Sequence, residues 1–256
     1  MAPLGRRTEG ATGGLLDGLP DICGGSNDMI HSIAKDQSKF LGQLSVTREY
    51  AASVVLSNNT LWVTGGEDQS GNDLKTTEFV TKDGQTSQGP KLPLPLYGHS
   101  IVLLNSGAFF LIGGYDGDSS ATATHFYEEK KGWRAGPNLK NGRFRHTAGV
   151  LTDRVSTKTY IVAVGGCNAE SSLEYLEYPG SNDWMKGKPT HSSLDQLQLE
   201  SHLFMFQAQI CQNPSLNMAW STLALTWWSW EAGLVDLCHL HFTNCQWRMA
   251  NSSGRR

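Results

Sequence analysis

Three groups of side chains in this chain of 256 residues have types and spacing that could do chemistry. Cys238, His239, His241 and Cys245 gather four soft donors within eight residues, and a zinc site needs four such donors converging tetrahedrally. The paired Cys-x-x-Cys or His-x-x-x-His elements that favour such convergence are missing, so no metal or other cofactor is expected. His99 and His146 lie 47 residues apart, each ahead of an apolar run. Imidazoles repeated at equivalent positions suit a structural hydrogen bond better than a single acid–base centre. Glu67, Asp68, Asp73, Asp116 and Asp118 fall in polar stretches where they could draw a cation or a basic partner, although turn closure alone accounts for Asp68 and Asp116. No Gly-x-Ser-x-Gly elbow, Walker loop or zinc-protease helix motif occurs, and the expectation is a chain that is not an enzyme.

The elements that hold those acids recur. Gly-Gly-x-Asp/Asn appears at Gly24-Gly25, Gly65-Gly66, Gly113-Gly114 and Gly165-Gly166, and the second glycine advances by 41, 48 and 52 residues. The last three pairs each stop a short apolar run: Leu61–Thr64, Phe109–Ile112 and Ile161–Val164. Such runs are too brief for helices and read as buried strands. Aromatic segments follow at Glu78–Val80, His125–Tyr127 and Glu174–Leu176, and then the strand ends Thr86–Pro90, Trp133–Pro137 and Trp184–Pro189. Each unit thus supplies four strands, which is one propeller blade.

The diglycine, the downstream aromatic and the Trp before the next unit resemble kelch repeats, whose period is roughly 50 residues. The resemblance covers residues 46–189 and implies an all-β fold of kelch-type β-propeller blades. In it Gly65, Gly66, Gly113, Gly114, Gly165, Gly166, Trp133 and Trp184 are structural. Thr86 stands where the first full repeat would carry Trp, and Ala51 where later repeats carry His99 and His146. The expected organisation is a disordered leader at 1–19, a partial blade lacking its first strand at 20–45, and repeats at 46–93, 94–140 and 141–189. A Trp-rich tail without repeats follows at 190–256. Three repeats and a fragment imply an incomplete ring, and unpaired blade edges invite self-association.

Residues 201–230 contain no Asp, Glu, Lys or Arg, but Gln207, Gln209, Gln212, Asn213 and Pro214 argue against a membrane span, which needs about twenty predominantly apolar residues. No signal peptide is read in the leader, which points to the cytoplasm. A net charge of −3 and the lack of a basic cluster argue against nucleic-acid binding. The five cysteines are irregularly spaced, so no complete disulfide framework is expected.

Two functions fit this pattern. The favoured one is a protein-binding module or scaffold, because loops on a rigid scaffold are where recognition residues collect. Residues 67–75, 115–122, 141–146 and 167–172 are its expected contact surface, with Tyr115, Asp116, Asp118, Arg143 and Arg145 as binding residues. The alternative, implied by the resemblance alone, is an enzyme like the copper radical oxidases. That chemistry requires a Cys-linked Tyr with further His and Tyr ligands, and no such set is assignable.

Overall fold

The computed structural model describes residues 10–34, 37–153, 156–169 and 172–187. They form four antiparallel four-stranded sheets, the blades of a β-propeller, with no helix among the described residues. Blade one holds β1 (Ala11–Leu16), β2 (Leu19–Gly24), β3 (Met29–Ala34) and β4 (Gln37–Gln43). Blade two holds β5 (Ala52–Val55), β6 (Thr60–Thr64), β7 (Thr77–Thr81) and β8 (Thr86–Gln88). In blade three are β9 (Ser100–Leu103), β10 (Phe109–Ile112), β11 (Thr124–Glu128) and β12 (Gly132–Ala135). Blade four is made of β13 (Thr147–Thr152), β14 (Thr159–Val164), β15 (Leu173–Glu177) and β16 (Met185–Gly187). Within each blade the strands pair in chain order, and β1, β5, β9 and β13 stand side by side along the axis.

Burial explains the strand compositions. The second strands β6, β10 and β14 have neighbouring blades or strands against both faces, so their apolar residues run consecutively instead of alternating. The outermost β8, Thr-Ser-Gln, is wholly exposed, and a short polar edge discourages pairing with other chains. Three apolar cores lie between successive blades. Leu16, Cys23 and Ile30 meet Leu61, Val63 and Val80; Trp62 meets Ile101 and Leu111; Phe110 and Phe126 meet Ile161, Leu176 and Trp184.

The expectation for the N-terminus is corrected. Residues 11–16 are not part of a disordered leader but form β1, paired with β2 over its whole length, so blade one has its first strand. The hairpin closes at Asp17 and Gly18, both with positive φ, an Asp-Gly turn of the kind that matches strand twist. The apolar pattern is weak there because blade two approaches closely. A Cβ on Gly14 would come within 2.9 Å of Leu61, leaving no space for a larger residue.

The glycine pairs are joints between blades. Gly114 donates its N–H to the Arg143 carbonyl at 2.9 Å, and a Cβ on Gly113 would stand 2.6 Å from that same oxygen. Both glycines have positive φ, 55° and 109°, which other residues rarely adopt. Gly25 and Gly66 make the same bond to Arg48 and Leu96, the residues that lead into the next blade. Two tryptophans clamp the outer ends of the joints. Trp133 Nε1 donates to the Lys91 carbonyl at 2.8 Å and Trp184 Nε1 to that of Pro137 at 2.9 Å, each tying its blade to the segment leaving the previous one.

Candidate functional site

Four equivalent backbone positions ring the axis just ahead of the innermost strands: Gly10, Tyr50, Gly98 and Arg145. Tyr50 donates its N–H to the Gly10 carbonyl (2.8 Å), Gly98 to Tyr50 (2.8 Å) and Arg145 to Gly98 (2.6 Å). Among the described residues, no backbone bond continues this series from Arg145 back to Gly10. All four have left-handed backbones, with φ between 53° and 69°. Glycine adopts that conformation at little cost, whereas Tyr50 and Arg145 are strained in it. The ring surrounds a pocket lined also by Thr12, Ser53, Ser100 and Thr147.

The two strained side chains meet. Arg145 lays its guanidinium over the Tyr50 ring, 3.7 Å from ring centre to Cζ, and lies 5.9 Å from the ring of Phe144. Around them Tyr50, Tyr97, Tyr115 and Phe144 form an aromatic patch, with Tyr97 6.2 Å from Tyr50, 5.3 Å from Tyr115 and 5.7 Å from Phe144. Burial pushes the Tyr97 hydroxyl up to about 12, so it stays protonated at neutral pH.

An acidic rim stands beside this patch, because antiparallel pairing puts the loops after the glycine pairs at the same end as the starts of the inner strands. Backbone bridges join Glu49 to Glu67, Tyr97 to Tyr115 and Phe144 to Cys167, stitching each loop to the segment entering its blade. Asp73 is half-buried, and burial together with the carboxylates of Glu67 and Asp116 pushes it up to about 6. Asp116 and Asp118 are exposed. Asp116 Oδ1 accepts the N–H groups of Asp118 and Ser119, and Asp68 Oδ1 those of Ser70 and Asn72, so turn closure does account for both acids. The Tyr115 hydroxyl donates to the Asp118 carbonyl at 3.2 Å, leaving the ring half-buried on the patch.

Of the five residues expected to bind, the structure brings Tyr115, Asp116, Asp118 and Arg145 to one face and withdraws Arg143. Arg143 is a correction: it is fully buried, its Nη2 2.7 Å from Glu174 and its Nη1 donating to the Gly165 carbonyl. It serves its own blade, as Arg48 does through Glu78, Gly65 and Thr76 in blade two. In blade three Leu96 and His125 occupy these positions, so the charged pair is replaced as a unit. Reading by residue type missed Tyr50, Tyr97 and Phe144. The available signal was phase: Tyr50 and Arg145 both follow a repeat-equivalent Arg by two positions, where blade three has Leu96 and Gly98.

His99 has the structural role expected of it, its Nε2 sharing a hydrogen bond with Thr64 Oγ1 at 2.8 Å across the blade joint. His146 occupies the same position one blade later, where Ile112 replaces the threonine, and neither of its ring nitrogens has a hydrogen-bond partner. Burial lowers both imidazoles to about 3, with Arg143 adding to the effect at His146. They are therefore neutral at pH 7. No three His, Cys, Asp or Glu side chains converge as a metal site requires among the described residues. Cys238, His239, His241 and Cys245, with the rest of the tail, lie outside the described residues. Among the described residues no helix is long and apolar enough to cross a membrane.

No protein-family model matches the chain. The chain is similar to the tRNA wybutosine-synthesizing protein 4 of Aspergillus fumigatus, with 26% identity over 148 residues. That match takes in 54% of this chain and spans only 14% of the relative's length. Among solved structures it resembles that of YjhT, with a TM-score of 0.57 and 15% identity, covering 73% of this chain and 67% of that one. At that identity the likeness concerns the fold.

Proposed function

We propose that the chain is a kelch-type propeller that works as a protein-binding module without catalysis of its own, in the cytoplasm. Its partner is a basic or mixed-charge protein segment, received by the loop face that carries Tyr115, Asp116 and Asp118. A nucleic acid or membrane surface, being anionic, would be repelled by the same rim. The supporting observation is Asp73, pushed up to about 6 by burial and by Glu67 and Asp116. Crowded carboxylates weaken a fold, and a cationic partner would relieve the crowding. The aromatic patch beside them offers rigid apolar area of the sort that anchors interfaces. The relative's tRNA-modifying role, named for a protein of which this chain matches 14%, does not enter this reading.

The test is affinity capture with the full chain and two variants, Tyr115→Ala and the double Asp116→Ser, Asp118→Ser, each at low and physiological salt. Partners should be weakened by both variants and by salt, since exposed charges are screened over about 8 Å at physiological ionic strength. Equal retention by all three forms would remove this face as the binding site. Elemental analysis addresses the enzymatic alternative: about one zinc or copper per chain, lost on Cys238→Ser or His241→Ala, would favour metal chemistry.

A further inference from the structure

We infer that Arg145 is the receptor for a carboxylate at the axial mouth, holding it side-on through the Nε and Nη2 edge of its guanidinium. This rests on the loop face being a binding surface, and it names the group recognised there: an acidic side chain or C-terminus of a peptide with lysine or arginine beside it.

Three observations carry the assignment. The first is the backbone. Blades one and three fill this axial position with Gly10 and Gly98, so it needs no side chain, yet Arg145 is held there with a φ of 53°. Strain kept where glycine would serve points to a side chain with a use.

The second is the orphaned edge. Nε and Nη2 of Arg145 are shielded from solvent and have no hydrogen-bond partner. These two donors lie on one side of the guanidinium and match the spacing of two carboxylate oxygens. Arg48 shows that edge gripping a carboxylate within this molecule, since its Nε and Nη2 both donate to one oxygen, Oε1 of Glu78, at 3.0 and 2.9 Å. The buried carboxylates Glu78 and Glu174 are already engaged by Arg48 and Arg143.

The third is the setting. Stacking on Tyr50 holds the guanidinium flat, and its stem crosses Gly98, where a Cβ would stand 3.1 Å from the arginine Cγ. That missing side chain lets the arm cross over the axial mouth to Tyr50. Glu67, Asp73 and Asp116 repel a bare anion, so the carboxylate arrives accompanied by positive charge.

The experiment uses the full chain and a labelled peptide with one glutamate flanked by lysines, read by fluorescence anisotropy. Its counterpart carries glutamine in place of the glutamate. The glutamate peptide should bind roughly tenfold or more tightly than the glutamine peptide, and Arg145→Gly should abolish that difference. Arg145→Lys keeps the charge and loses the fork, and should retain only a small part of it. Glycine at this position matches Gly10 and Gly98, so the variant relaxes the backbone and folds. Free glutamate competing in an Arg145-dependent way would support the site with a small carboxylate as its ligand. Equal affinity of the two peptides, or a glutamate preference that survives in Arg145→Gly, overturns the assignment. If the two peptides bind equally but remain sensitive to Asp116→Ser, Asp118→Ser, the acidic-rim reading stands without it.

Discussion

Arg145 stacks on Tyr50 across an intervening blade: the guanidinium of blade four lies 3.7 Å from the ring of blade two. They meet because blade three carries Gly98 at the same ring position, with no side chain between them. Both residues have left-handed backbones, so the contact joins the two strained points of the axial ring. A cation over an aromatic ring is worth about 0.5 to 2 kcal/mol, comparable with the strain.

Arg145→Gly should therefore leave stability within about 1 kcal/mol of the parent chain, because the strain relieved and the stacking lost are of similar size. Urea unfolding measures this. A loss of several kcal/mol would mean that the arginine is a structural keystone and not a recognition residue.

Gly114→Val should destabilise blade three by about 1 to 3 kcal/mol. Its φ is 109°, and a Cβ would stand 2.9 Å from that of His99 and 3.3 Å from the Tyr97 carbonyl. An unchanged melting temperature would deny the joint its role.

Removing one half of a buried ion pair leaves the other half uncompensated. Arg143→Leu should cost about 3 to 5 kcal/mol by stranding Glu174, which is fully buried. The double change Arg143→Leu, Glu174→His installs the pair that blade three carries as Leu96 and His125. It should recover a substantial part of the loss. A double variant no more stable than the single one would show that the two positions are not exchanged as a unit.

Acid should weaken the fold through its histidines. His99 and His146 are lowered to about 3, so between pH 3 and 6.5 the unfolded chain binds more protons and stability falls as pH falls. Asp73, raised from 3.8 to about 6, works in the opposite direction over the upper part of that window. Two depressed imidazoles outweigh one raised carboxyl. The urea midpoint should drop on going from about pH 7 to about pH 4, and less so in His146→Leu, which removes one of the two groups. An identical drop in both chains would count against burial of that imidazole.

Much of this is legible in the sequence itself. Phe109–Ile112 was read as a strand to the residue, since consecutive large apolar side chains ended by two glycines leave a strand buried on both faces as the natural solution. The turn roles of Asp68 and Asp116 followed from side-chain reach alone. β1 was missed because Gly13 and Gly14 carry no apolar pattern, and its one local signal, Asp17-Gly18, lies in the turn outside the repeat. Arg143 was misread because charge usually signals exposure, and only its partner 31 residues later reveals a buried ion pair.

The sequence alone determined the repeat, the strands of its three full copies and the face on which their loops gather, because these depend on local backbone preferences and on the alternation of chain direction within a sheet. Tertiary structure decided which arginine is a girder and which is an arm. Arg143 and Arg145 are two residues apart in the same segment, yet the first turns into its own blade to meet Glu174, while the second turns over the axis to meet Tyr50. The partner of Arg143 lies within its own repeat, whereas the place of Arg145 comes from what the other blades put around the axis, which no stretch of sequence as short as one repeat contains.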